Sequence, residues 1–236
     1  MIQVRHSADR GHAQHGWLDT YHTFSFDTYY DPAHEQFRAL RVINEDRVAP
    51  GAGFPFHAHR DMEIITYVVE GHVLHRDSTG EQHMVGPNEI QVMSAGSGIV
   101  HSEFNASETE LVRVLQIWIE PASEDLKPSY QQVAFAPGEK RGRFRLLAGP
   151  ELSNGEETAL INQDARLYAA EIRPKDTLTW TLRPLRHAWL QIVNGEISLN
   201  RQSLKEGDGA AVSGEQELFV SGSEPGGGEV LLFDLP

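Results

Sequence analysis

His57-Ala58-His59 and, well downstream, His101-Ser102-Glu103 are the two short stretches on which the reading of this chain turns. Each sets two potential metal-ligand side chains at i and i+2. Side chains alternate faces along a strand, so each pair projects from one side of its strand. Two neighbouring strands of a small barrel would bring these pairs together as three imidazoles and one carboxylate. That donor set suits a single divalent transition metal with positions left open for a substrate. Glu63 is a second candidate for the carboxylate. Glu103 has the better local argument, because it shares a strand face with His101, and both candidates stay open on spacing alone.

The surrounding sequence predicts an all-β protein. Helical periodicity is almost absent, and short β-rich runs such as Val92-Met93, Val112 to Ile119 and Val230 to Phe233 end in Gly, Pro or Asn turns. Brief helices are expected only around Ser123 to Leu126 or within residues 1–30. An internal repeat is visible: Ile65-Thr66-Tyr67-Val68-Val69-Glu70-Gly71-His72-Val73 resembles Trp189-Leu190-Gln191-Ile192-Val193-Asn194-Gly195-Glu196-Ile197. Gly86 to Ser94 is echoed by Gly207 to Ser213 in the same order. Two similar barrels, residues 1–134 and 135–236, joined through a Pro/Gly-rich stretch from Pro121 to Gly149, account for this pattern. In the second copy the places of His57 and His59 fall at Thr181 and Arg183, and those of His101 and Glu103 near Val220 and Gly222. The metal set is therefore expected in the N-terminal barrel only.

Composition narrows the function classes. A formal charge of −14 with scattered Lys and Arg argues against a nucleic-acid surface, which needs clustered cations. The absence of cysteine excludes disulfides, thiolate metal ligands and a cysteine nucleophile. No run approaches the length of a membrane span and the first residues lack a secretory apolar core, so a cytoplasmic location is expected.

These residues resemble the cupin superfamily and, within it, the pirin family. The first cupin motif, G-x5-H-x-H-x3-E, is matched by Gly51, His57, His59 and Glu63, although Gly71 follows one residue later than usual. The second is matched by Gly98, His101 and Asn105, with Gly96 in the place of its proline. Gly16-Trp17-Leu18, Thr23-Phe24-Ser25-Phe26, Leu40-Arg41-Val42-Ile43-Asn44, Gly53-Phe54-Pro55 and the run Ser94 to Glu103 resemble pirin signatures. The closing Leu231 to Pro236 is similar to that of the short bacterial pirin-like quercetinases.

The resemblance implies two tandem jelly-roll barrels, a bicupin. It also implies the ligand set His57, His59, His101 and Glu103, with Fe(II) the first choice of metal and Ni, Mn, Co, Cu or Zn as alternatives. The implied activity is opening of the heterocycle of flavonols such as quercetin by O2 with release of CO, with Glu103 as the base that takes the 3-hydroxyl proton. Glu63 and Gln116 are candidates to back the ligands, and Phe54, Phe56, Arg60 and Met93 to line the pocket. His12, His15 and His22 are expected in packing or solvent, His72, His75 and His83 in solvent, and His187 in a structural role. The alternative function is a metal-dependent regulatory protein working through protein partners without catalysis. An isomerase or hydrolase using the metal as a Lewis acid is a further possibility.

Overall fold

The computed structural model describes residues 1–136, 138–152 and 155–236. Its strands are β1 (Ile2–Arg5), β2 (Gly11–Gln14), β3 (Leu18–His22), β4 (Leu40–Val48), β5 (Gly53–His59), β6 (Glu63–Glu70) and β7 (Val73–Asp77). There follow β8 (Gln82–Val85), β9 (Glu89–Ser94), β10 (Ile99–Asn105), β11 (Val112–Ile119), β12 (Ser129–Ala134), β13 (Arg145–Gly149) and β14 (Ala159–Leu160). The last are β15 (Arg166–Ile172), β16 (Thr177–Thr181), β17 (His187–Leu199), β18 (Gln202–Lys205), β19 (Gly209–Ser213), β20 (Glu217–Gly222) and β21 (Gly228–Leu235). The sole helical element among the described residues is a 3₁₀ turn at Ser7–Asp9. The segment from Ser123 to Leu126, where a helix was expected, is a series of bends.

Two compact units result. One comprises Gly11–Phe135 with Pro150–Gln163, and the other Met1–Arg10, Ala136–Gly149 and Asp164–Pro236. The expected contiguous division at residues 134 and 135 therefore differs at two segments. The first ten residues join the C-terminal unit because β1 pairs with β19 from Ile2↔Val212 to Arg5↔Gly209. Residues 150–163 join the N-terminal unit, where Gln131 and Leu160 exchange side-chain-to-backbone hydrogen bonds.

In the N-terminal unit a seven-stranded sheet, β12-β9-β6-β11-β4-β3-β2, accompanies a four-stranded one, β5-β10-β7-β8. Strand β6 is rich in Ile, Thr, Tyr and Val, which favour a pleated surface, and is buried along most of its length between β9 and β11. Val73 and Val85 from the smaller sheet pack with Leu18, Val48, Val68, Val112 and Val114 from the larger one. The C-terminal unit repeats this logic. Strand β17 lies between β19 and β21 as β6 lies between β9 and β11, and β16 pairs with β20 as β5 pairs with β10. A left-handed glycine marks the matching point of each copy, Gly71 at φ 75° between β6 and β7 and Gly195 at φ 72° within β17. Leu178, Trp180, Leu218 and Val220 of β16 and β20 belong to the apolar core of this second unit. No helix is long and apolar enough to cross a membrane.

One glycine in this framework has a direct bearing on the site. A Cβ on Gly53 of β5 would stand 2.3 Å from the Glu103 carbonyl oxygen and 2.5 Å from the Phe104 Cα of β10. Gly53→Ala must push the two strands apart, and overpacking of this kind costs about 1–3 kcal/mol. A fall of several degrees in Tm is expected by calorimetry, and an unchanged Tm would show that the strand pair yields freely.

Candidate metal centre and pocket

The pairing of β5 with β10 builds the site. His57 lies opposite His101 and Ile99 opposite His59, after which the register shifts so that Glu103 lies opposite Phe54. The extra residue falls in β5, at Pro55-Phe56, where Pro55 has no N–H to give to a ladder. Along β5 exposure alternates after the bulge, with Phe56 and Ala58 outward and His57 and His59 half-buried. Along β10, Ile99, His101, Glu103 and Asn105 are buried.

The three imidazoles converge. Ring centroids are 4.8 Å apart for His57 and His59, 4.4 Å for His57 and His101, and 4.9 Å for His59 and His101. His57 Nδ1 lies 2.8 Å from the Pro55 carbonyl oxygen and must donate to it, which leaves its Nε2 with a lone pair. That Nε2 lies 3.0 Å from His101 Nε2. Two nitrogens each about 2.1 Å from one metal and at right angles to each other are about 3 Å apart, so the donor set fits a divalent cation. Burial, with the neighbouring imidazoles adding to it, lowers His59 to about 4 and His101 to about 2. Both rings are therefore neutral at physiological pH, the protonation state a metal requires.

Glu103 is buried beside this trio rather than inside it. Its Oε1 accepts from Thr66 Oγ1 at 3.2 Å and its Oε2 from Gln116 Nε2 at 2.9 Å. Trp118 Nε1 donates to Gln116 Oε1 at 3.3 Å, which fixes the amide so that its N–H₂ faces Glu103. Burial raises the Glu103 carboxyl, against lowering by the His75 and His57 charges and these hydrogen bonds. Among the described residues, ligand atoms of His57, His59 and His101 lie within 4.8 Å of one another, and so do those of His75, His101 and Glu103. His101 belongs to both groups.

His75 is a correction to the expectation of solvent exposure: it is fully buried. It lies on β7 with Val73 and Asp77, and alternation turns all three inward. Its Nε2 is 3.0 Å from Asp77 Oδ2, and its Nδ1 is 3.5 Å from His101 Nδ1. Burial pushes the Asp77 carboxyl up, but hydrogen bonds from His75, Thr79 and Glu81 outweigh it and hold the group below the ordinary value.

A cavity of about 550 Å³ opens onto His57 and His59. Its lining includes Phe54, His57, His59, Glu103, Gln116 and Trp118, together with Leu18, Phe26, His22, Asn44 and Asp46. Trp118 meets His59 edge-on at 4.9 Å and Phe26 edge-on at 5.4 Å, making an aromatic wall. His22, expected in packing or solvent, lines this cavity with Nδ1 2.8 Å from Asn44 Oδ1. Asn44 and Asp46 stand at i, i+2 on β4 and are both buried. Burial pushes the Asp46 carboxyl up to about 7, against a hydrogen bond from Thr20 and with the Glu103 and Glu45 charges adding to the rise.

Other expected residues lie elsewhere. Glu63 is buried, but Ser94 Oγ and Asn162 Nδ2 hold its carboxylate at 2.6 and 3.1 Å, away from the cavity lining. Met93 is packed in the core with Ile64, Ala95 and Ile99. Phe56 is exposed because it is on the outer face of β5, and Arg60 is exposed and paired with Asp61 and Asp125. Phe54 and Gln116 are the members of that group in the pocket. Asn105, the last residue of the second motif, ties the strand end by donating to the carbonyls of Val48, Ala49 and Glu110.

The Asp46 shift carries a linkage consequence. Between the unfolded value near 4 and the folded value near 7 the native state holds the extra proton, so this group's contribution to stability is lost as pH rises. Asp46→Asn should therefore raise Tm relative to the unaltered protein more at pH 8 than at pH 5. Equal differences at the two values would show that Asp46 titrates normally.

Residues 3–119 match the family model Pirin, and residues 146–235 match the quercetinase C-terminal cupin domain. An Escherichia coli (strain K12) protein named quercetin 2,3-dioxygenase is 42% identical over 236 residues, covering 100% of this chain and 99% of the relative. A pirin-like protein of Caulobacter vibrioides is 41% identical over 224 residues, covering 95% of each. The crystal structure of the bacterial pirin YhhW from Escherichia coli in complex with nickel(II) superimposes with a TM-score of 0.93 at 42% identity, covering 100% of this chain and 99% of that one.

Proposed function

The chain belongs to the pirin family, and from that premise we propose that it is a metal-dependent dioxygenase opening the heterocycle of flavonols such as quercetin, with release of CO. The observation that carries this reading is the convergence of three imidazoles, two of them lining an aromatic-walled cavity, with a buried carboxylate beside them. His57, His59, His101 and Glu103 would hold the metal, and the similar YhhW has been solved in complex with nickel(II). Nickel joins iron as a leading candidate on that ground. When bound, the metal supplies Lewis acidity and open positions for an oxygen anion and dioxygen.

The protein's own residues do the rest. Trp118, Phe26 and Phe54 offer apolar faces and edges to a planar aromatic ligand, at the scale of pocket that small molecules occupy. Glu103 takes the proton of the flavonol 3-hydroxyl, and burial makes it a stronger base than an exposed carboxylate. Thr66 and Gln116 hold its oxygens so that little reorganisation accompanies the transfer. The same walls exclude water from the flavonolate.

Oxygen uptake with quercetin tests the reading, using protein loaded separately with iron, nickel, manganese, copper or zinc beside metal-free protein. Uptake matched to flavonol loss and dependent on a redox-active metal is the expected result. Metal binding with no uptake for any metal would overturn the enzyme and favour a metal-dependent regulatory protein that acts through partners. Within the enzyme, Glu103→Gln should reduce turnover by about 10²–10⁴-fold. Glu63→Gln should leave metal content near one per chain in elemental analysis, and a chain emptied by that change alone would move the carboxylate ligand to Glu63.

A further inference from the structure

Behind His101, on the side away from the cavity, the fold places a second histidine and a carboxylate that the proposed chemistry does not use. Asp77 Oδ2, His75 Nε2, His75 Nδ1 and His101 Nδ1 form a chain with steps of 3.0 Å between Asp77 and His75 and 3.5 Å between the two imidazoles. The side chains of His75 and Asp77 are both 0% exposed, so water does not compete for these contacts. Asp77 is anchored in turn. Its Oδ1 accepts from Thr79 N at 2.8 Å, Thr79 Oγ1 at 2.6 Å and Glu81 N at 3.3 Å. The ring of Tyr130 covers His75 at 4.9 Å.

With each imidazole carrying a single ring hydrogen, the donors and acceptors of the chain fix one order of protons. An ionised carboxylate only accepts, so His75 Nε2 must carry a hydrogen and donate it to Asp77. A His75 ring with that single hydrogen has a bare Nδ1, which accepts from His101 Nδ1–H at 3.5 Å. His101 is left with a lone pair on Nε2, the atom that faces His57 Nε2. We propose that Asp77 and His75 are positioning residues that lock His101 in the tautomer able to bind a metal through Nε2. This rests on the reading of His101 as a ligand. It extends the pattern in which a metal-bound histidine donates its other N–H to an oriented acceptor, here with a second imidazole interposed before the carboxylate.

Asp77→Asn inverts the chain at almost constant shape. An Asn amide N–H in the Oδ2 position donates to His75 Nε2, which drives the His75 hydrogen to Nδ1 and makes His101 Nδ1 the acceptor. His101 must then keep its hydrogen on Nε2, where a metal would sit. The Asn carbonyl still accepts from Thr79 and Glu81, which preserves the turn.

The experiment pairs two readouts on the full-length protein. The first is ¹⁵N histidine NMR of metal-free protein, where His101 is expected as the Nδ1–H tautomer in the unaltered chain and as Nε2–H in Asp77→Asn. A purely structural role for Asp77 would not move this signal. The second is nickel(II) affinity by competition with a chelator, expected to fall about 10–100-fold in Asp77→Asn, with His57→Ala as the reference for loss of a ligand. An Nε2–H His101 in the unaltered protein overturns the proposal, even if the variant does not fold. Equal nickel affinity of Asp77→Asn and the unaltered protein also overturns it, while leaving the metal centre intact. Failure of the unaltered protein to bind nickel at all overturns the metal centre and the positioning role together.

Discussion

The antiparallel pairing of β5 with β10 is the constraint on which the site depends. It sets His57 directly opposite His101, while alternation along each strand brings His59 and Glu103 to the same inner face. The bulge at Pro55-Phe56 adds a second effect. It frees the Pro55 carbonyl to receive His57 Nδ1–H, so the feature that bends the strand also orients the imidazole. Gly53 allows the close approach to Glu103 and Phe104 that this pairing requires.

Around that pair the side chains are held by hydrogen bonds whose direction is fixed. His57 is held by a backbone carbonyl, and Glu103 by a hydroxyl and an amide whose own orientation is set by Trp118 Nε1–H. Burial keeps His59 and His101 neutral while raising Glu103 and Asp46. Such an environment suits a cation, which compensates buried carboxylates, and it keeps imidazole lone pairs available.

The two units show how one topology serves different ends. In the C-terminal unit the strands corresponding in order to β5 and β10 contribute Leu178, Trp180, Leu218 and Val220 to an apolar core. In the N-terminal unit the same arrangement turns histidines and a carboxylate toward a cavity. The fold is thus neutral with respect to chemistry, and the inward-facing residues of two strands decide it.

The sequence by itself determined the all-β class, the tandem repeat, and the sharing of one strand face by His57 with His59 and by His101 with Glu103. Those features rest on period-2 alternation, glycine turns and short-range spacing, which are local properties of the chain. Gln116 could be connected with Glu103 for the same reason, as a polar residue on a strong apolar strand. What only the tertiary structure decided are the contacts between strands remote in the chain. The joining of β1 to β19, the placing of Glu63 against Ser94 and Asn162, and the burial of Met93 all depend on which surface packs on which. His75 is the sharpest case. Its spacing with Asp77 was present in the sequence, but a histidine on a short hairpin reads as solvated until the neighbouring strand covers it. The register of β7 on β10, pairing His101 with Asp77 and Glu103 with His75, is the physical reason that it became part of the site.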